Sequence, residues 1–170
     1  MSASAEFMQA QSRVAPENAA TGWLLLAIDG LRLALPQREI RLITLVGDLR
    51  IPAHNDTPEI GALAREDGTP WPVYALDGTL ALDGRDSNSR RHCVFFESGG
   101  TVLGLLCDRL WSVANDARLL PEAVPGCLRA RRSPITGFAR HHDGLVAVTG
   151  AADLASYLDF LMESRHDSGE

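Results

Sequence analysis

Lysine is absent. All 16 basic residues of the 170-residue chain are arginine, which removes a Schiff-base lysine, a pyridoxal anchor and a P-loop lysine from the available chemistry. The guanidinium forks that remain suit bidentate pairing with carboxylates, although arginine-rich codon usage explains the bias equally well. Cysteine is scarce. Cys93, Cys107 and Cys127 are an odd, scattered set, neither a disulfide framework nor a zinc site. Positive charge is in deficit, with 22 acidic residues giving a net charge of −6. A nucleic-acid backbone or an anionic membrane surface rewards the opposite balance, so neither is an expected partner. No run approaches the ~20 apolar residues that span a bilayer. The first twenty residues lack the basic start and apolar core of a secretory leader, so a cytoplasmic location is expected.

What is present is a β pattern. Hydrophobic residues make up 45% of the chain, enough for a core. Residues 1–20 are polar and aperiodic and read as a flexible tail. "GWLLLAIDGLRLALP" then gives a strand, an Asp29-Gly30 turn and a second strand ending at Pro36; Asp-Gly between apolar runs is a strong hairpin signal. "REIRLITLVG" is ambiguous between a strand and a short helical turn. "GALAREDGTPWPVYALDGTL" gives two strands about an Asp67-Gly68 turn. Pro70 and Pro72 lack the N–H of a central strand and predict that this strand starts at an edge or a bulge. "DGRDSNSRR" (83–91) is the one strongly polar internal stretch and reads as a linker. Two further hairpins follow, turning near Gly99-Gly100 and at Asp143-Gly144. A closing helix over about 151–163 carries Leu154, Tyr157, Leu158 and Leu161 on one face, and 165–170 reads as a tail.

Within "TVLGLLCDRLWSV", Val102 to Cys107 is apolar at every position and then meets Asp108-Arg109. Such a strand is packed between two layers. Asp108 is expected to end it by accepting backbone N–H bonds at a bend, ahead of a partner contact or chemistry by the pair, with Arg109 pointing outward or pairing with an acid. Ala64-Arg65-Glu66-Asp67-Gly68 is echoed by Ala139-Arg140-His141-His142-Asp143-Gly144. Two copies of a five- to six-element β unit suit two small barrels. The resulting expectation is a mostly β chain with lobe 1 over about 21–82, a polar linker over 83–91, lobe 2 over about 92–150 and a C-terminal helix.

Four stretches, in order, resemble the CheW-like domain, an adaptor module of bacterial chemosensory arrays. They are "WLLLAIDGLRLALPQREIRLI", "IGALAREDGTPWPVYAL", "VLGLLCDRLWSV" and "ITGFARHHDGLVAVTGAADL". The resemblance runs from about Gly22 to Leu161. It implies two five-stranded SH3-like barrels packed on a shared core. It also implies no catalysis, no cofactor, and two partners: a histidine kinase regulatory domain at one barrel and a chemoreceptor cytoplasmic hairpin in the groove between barrels. The sequence departs from the family pattern at Arg65-Glu66-Asp67-Gly68, which is one residue longer, at Ala75, and at Val148-Thr149-Gly150. These departures motivate an alternative role in a pilus-motility or polar-localisation system.

The candidate protein-binding residues are Ile40, Arg41 and Ile43, Arg65 and Glu66 on the corner loop, Trp71 between its prolines, and Arg109. An arginine beside apolar rim residues makes a good anchor, because its stem packs while its fork pairs. Core packing is an equal alternative for Ile40 and Ile43, and covering a barrel base is one for Trp71. Gly30, Gly61, Gly68, Gly104, Asp108 and Gly144 are the candidate structural positions. A metal- or ligand-binding β protein using His141, His142 and Cys93 is a further alternative. Adjacent strand residues face opposite ways, which weighs against joint chelation by the two histidines.

Overall fold

The computed structural model describes residues 22–52, 57–84, 90–113, 119–128, 132–142 and 144–167; the expected N-terminal tail lies outside them. Trp23–Ile28 (β1) and Leu31–Pro36 (β2) form the first hairpin. Asp29 and Gly30 both take positive φ, 46° and 86°, as a two-residue primed turn requires. Ile40–Leu45 (β3) follows a single 3-10 turn, and a second 3-10 turn ends it, so the ambiguous segment is both strand and turn. Gly61–Leu63 (β4) and Trp71–Tyr74 (β5) form the next hairpin. His92–Ser98 (β6) and Thr101–Cys107 (β7) form another. Then come Arg109–Val113 (β8), Glu122–Ala123 (β9), Gly137–His141 (β10), Gly144–Val148 (β11) and the helix Ala151–Asp167 (α1). The helix outlasts its expected end and absorbs the start of the expected tail.

The strands form a six-stranded sheet, β8-β1-β2-β11-β10-β9, and a five-stranded sheet, β3-β6-β7-β5-β4. The two-residue β9 is the extra strand, one more than two five-stranded barrels need. The sheets do not divide the chain at 83–91. The five-stranded sheet is one continuous block from β3 to β7, and the six-stranded sheet is assembled from the two ends of the chain. The crossings fall at the turn before Ile40 and at Asp108. The reason is pairing: β2 finds the distant β11 in parallel, and β1 finds β8.

Each sheet gives one face to a shared core. Leu24, Leu26, Ile28, Leu33 and Leu35 meet Tyr74, Leu76, Val94, Phe96, Leu103, Leu105 and Cys107 there, with Leu154 and Leu158 of α1. The other face of each sheet closes on its own cluster. Leu25, Ala34, Val113, Ala139, Val146 and Val148 fill one; Val73, Cys93, Phe95 and Leu106 fill the other. Alternate residues of β1, β6 and β7 thus enter different cores, which is why these strands are apolar on both sides. The architecture is two small β-barrels packed together with a C-terminal helix.

The strand containing Pro72 starts at an edge, as expected: β5 lies between β4 and β7, but its first two residues pair with β4 alone. Its bonding to β7 starts only at Val73, so the missing N–H falls before that ladder begins. The last turn sits one residue earlier than expected, since His141 pairs with Gly144 and His142 carries the positive φ of 52°.

The helix start is held from a distance. Glu39, in the turn before β3, accepts the Ala151 backbone N–H at 2.7 Å, and a carboxylate there also meets the positive end of the helix dipole. Glu39→Ala is expected to destabilise the protein by about 1 kcal/mol. Faster amide exchange in the first turn of α1, with the sheets unchanged, checks this.

Candidate interaction surface

Burial along β3 alternates strictly, with Arg41, Ile43 and Leu45 turned outward. Ile43 and Leu45 are 42% and 57% exposed, unusual for two large aliphatic side chains on an edge strand. With Leu42, Thr44, Asp48, Leu63 and His92 they line a groove of about 560 Å³. Its walls come from β3 and β4, the two ends of the five-stranded sheet, so the sheet has curled until its edges face one another. Thr44 donates to Asp48 at 2.8 Å across one rim. Arg41 pairs with Glu97 at 2.9 Å, in the open, where such a pair contributes about 1 kcal/mol or less. The register slips between Ile40 and Leu42, and this irregularity at an edge discourages strand-to-strand aggregation. Ile40 itself packs against the shared core, so its packing alternative holds, whereas Ile43 faces solvent.

Two residues past Leu63, the corner loop brings Arg65 and Trp71 together. The Arg65 guanidinium lies 4.2 Å from the Trp71 ring centre, a cation–π contact. Trp71 in turn meets Phe95 at 5.5 Å between ring centres. The half-buried indole therefore covers the base of the barrel and carries the Arg65 guanidinium on its outer side. Glu66 is exposed on the same loop, and Gly68 turns it with φ 82°. Gly61 lies against the backbone of Arg50.

Arg109 does not join this surface. It opens β8 in the other sheet, opposite Ala27. Asp108 sits between β7 and β8, where the chain changes sheets. Its backbone N–H donates to the Ala27 carbonyl at 2.9 Å. Its carboxylate accepts the Asp29 N–H at 2.8 Å and lies 3.3 Å from the guanidinium of Arg90.

Arg90 is the residue that sequence reasoning missed. Placed in a polar linker, it is buried, with its side chain 1% exposed. Its fork also donates to the Leu76 carbonyl at 2.7 Å and to the Asp29 carboxylate at 2.9 Å. One cation thus joins the first turn of the six-stranded sheet, the loop after β5 and the crossing at Asp108.

The two buried thiols stay protonated near neutral pH. Burial raises both Cys93 and Cys107, the latter to about 12. Cys93 lies inside the five-stranded barrel, while His141 and His142 line a separate cavity of the six-stranded one. The metal alternative built on these three therefore lacks a common centre.

The fold and the surface define a two-barrel β protein with an exposed apolar ridge beside an arginine–tryptophan corner. No protein-family model matches the chain, and no curated protein matches it. Among solved structures, it is similar to the scaffolding protein TtCheW from Thermoanaerobacter tengcongensis, with 18% sequence identity, a TM-score of 0.59, and coverage of 79% of this chain and 91% of that one. At that identity the likeness is one of fold: this chain has the CheW architecture.

Proposed function

We propose that the chain is a non-catalytic adaptor of a bacterial chemosensory pathway, acting in the cytoplasm at receptor arrays. It would hold a histidine kinase regulatory domain on the five-stranded barrel and a chemoreceptor cytoplasmic hairpin in the groove between the barrels. The observation that carries this reading is the pairing of exposed Ile43 and Leu45 with the Arg65–Trp71 corner on a CheW-like fold. Apolar ridges beside an arginine are what protein partners use as anchors. The mechanism is geometric. Two separate surfaces on a rigid double barrel fix two partners in one orientation, and the coupling free energy passes through the shared core.

Arg65→Glu reverses one charge at an exposed site, so it should leave the melting temperature unchanged. It is expected to weaken capture of the kinase regulatory domain about tenfold or more. Unchanged binding of kinase and receptor fragments would refute the choice of site. Capture of the kinase without the chemoreceptor hairpin would instead favour a pilus-motility or polar-localisation system, as the lengthened corner loop suggests.

A further inference from the structure

The open end of the six-stranded barrel carries a second feature, independent of the adaptor reading. Trp111, Leu25 and Ala34 lie opposite one another across β8, β1 and β2, and Ala139 and Val146 join them around the same apolar cluster. Two residues further toward the mouth, on the same face of each strand, stand Arg109, Ala27, Arg32, Gly144 and His141. Two arginines, one imidazole and two of the smallest residues therefore form the rim. Arg32, Trp111, His141, His142 and Gly144 line a cavity of about 340 Å³ there.

Space has been made for the guanidinium. A Cβ on Gly144 would stand 2.6 Å from the Arg32 Nη1, so glycine lets Arg32 lie across the mouth. The two imidazoles stand edge-on with ring centres 4.2 Å apart. Among the described residues, no carboxylate lines the cavity and none pairs with Arg32 or Arg109; Asp143, next in sequence, lies outside them. Burial, then His142, then Arg32 hold His141 below its ordinary pKa, as crowding of like charge requires. A pocket whose described lining carries an arginine and two imidazoles and no carboxylate, in a chain of net charge −6, is a place for an anion.

We propose that this barrel mouth binds a small soluble oxyanion, a phosphate or a polycarboxylate, with Arg32 as the fork, His141 and His142 as further donors, and the Trp111 indole as the wall. Guanidinium and imidazole N–H donors match such oxygens, and the cavity volume suits a small molecule rather than a helix.

Titration of the full chain with inorganic phosphate, and separately with citrate, tests this through the imidazole and indole resonances. The expected result is a saturable shift of His141, His142 and Trp111. Arg32→Gln should weaken binding about tenfold, the loss of one charge-assisted pair, and His141→Gln should weaken it as well. Arg65→Gln, on the other barrel, should leave it unchanged. Equal weakening by Arg32→Gln and Arg65→Gln, or no saturable shift at millimolar anion, overturns the proposal. So does a response to an acidic peptide alone with phosphate and citrate inert.

Discussion

Arg90→Ala is expected to lower the unfolding free energy by about 3 kcal/mol, the low end of what removing one partner of a buried ion pair costs. The low end applies because the partner carboxylates of Asp29 and Asp108 keep some access to water. For a chain of this size the melting temperature should fall by about 10 °C. Arg90→Lys should recover less than half of the loss. The arginine divides its fork among the Leu76 carbonyl and two carboxylates, and a lysine ammonium cannot reproduce that planar spread. Urea denaturation of the three proteins measures this. A loss under about 1 kcal/mol for Arg90→Ala would mean that the crossing is held by backbone bonds alone.

Gly104→Ala should be comparably severe. A Cβ there would stand 2.6 Å from Cε1 of Phe95, 2.9 Å from Sγ of Cys93 and 3.0 Å from Cγ2 of Val73. All three neighbours are fully buried, so none has solvent to retreat into. Overpacking of this kind costs about 2 to 3 kcal/mol, and Gly104→Val should prevent folding. Phe95→Leu removes the nearest atom. The double variant Gly104→Ala with Phe95→Leu should therefore be more stable than the two single losses summed, by about 1 kcal/mol or more. Strict additivity would show that the ring is not what meets the new methyl group.

Much of this was legible in local chemistry. Asp29-Gly30 turns where an Asp-Gly pair between apolar runs should turn. The leucines of the last helix face the core, and the unbroken apolar run of β7 does lie between two layers. Asp108 reads as the end of that strand from its position alone. What local pattern does not carry is which strands meet across the chain. The parallel match of β2 with β11 has no signature in either segment, so the polar stretch that reads as a linker connects two strands of one sheet instead of two barrels. Arg90 escaped for a related reason. Its neighbours in sequence are polar, and only the convergence of three distant loops buries it. The exposed ridge is half visible: the sequence singles out Ile43, whereas nothing in the local pattern distinguishes Leu45 and Leu63, which only the curl of the sheet sets at one groove. Gly144 was read as a turn residue, and its visible part is to leave room for Arg32.

The nesting of one sheet inside the other bears on how the polypeptide emerges from the ribosome. Synthesis delivers β1 and β2 first, yet their neighbours β8 and β11 arrive only after the whole of the inner block. The inner block from Ile40 to Cys107 holds all of its own strand partners and can assemble while the opening hairpin waits with two bare edges. Nascent chains released early would carry that unfinished hairpin, the kind of open strand edge that recruits chaperones or neighbouring chains.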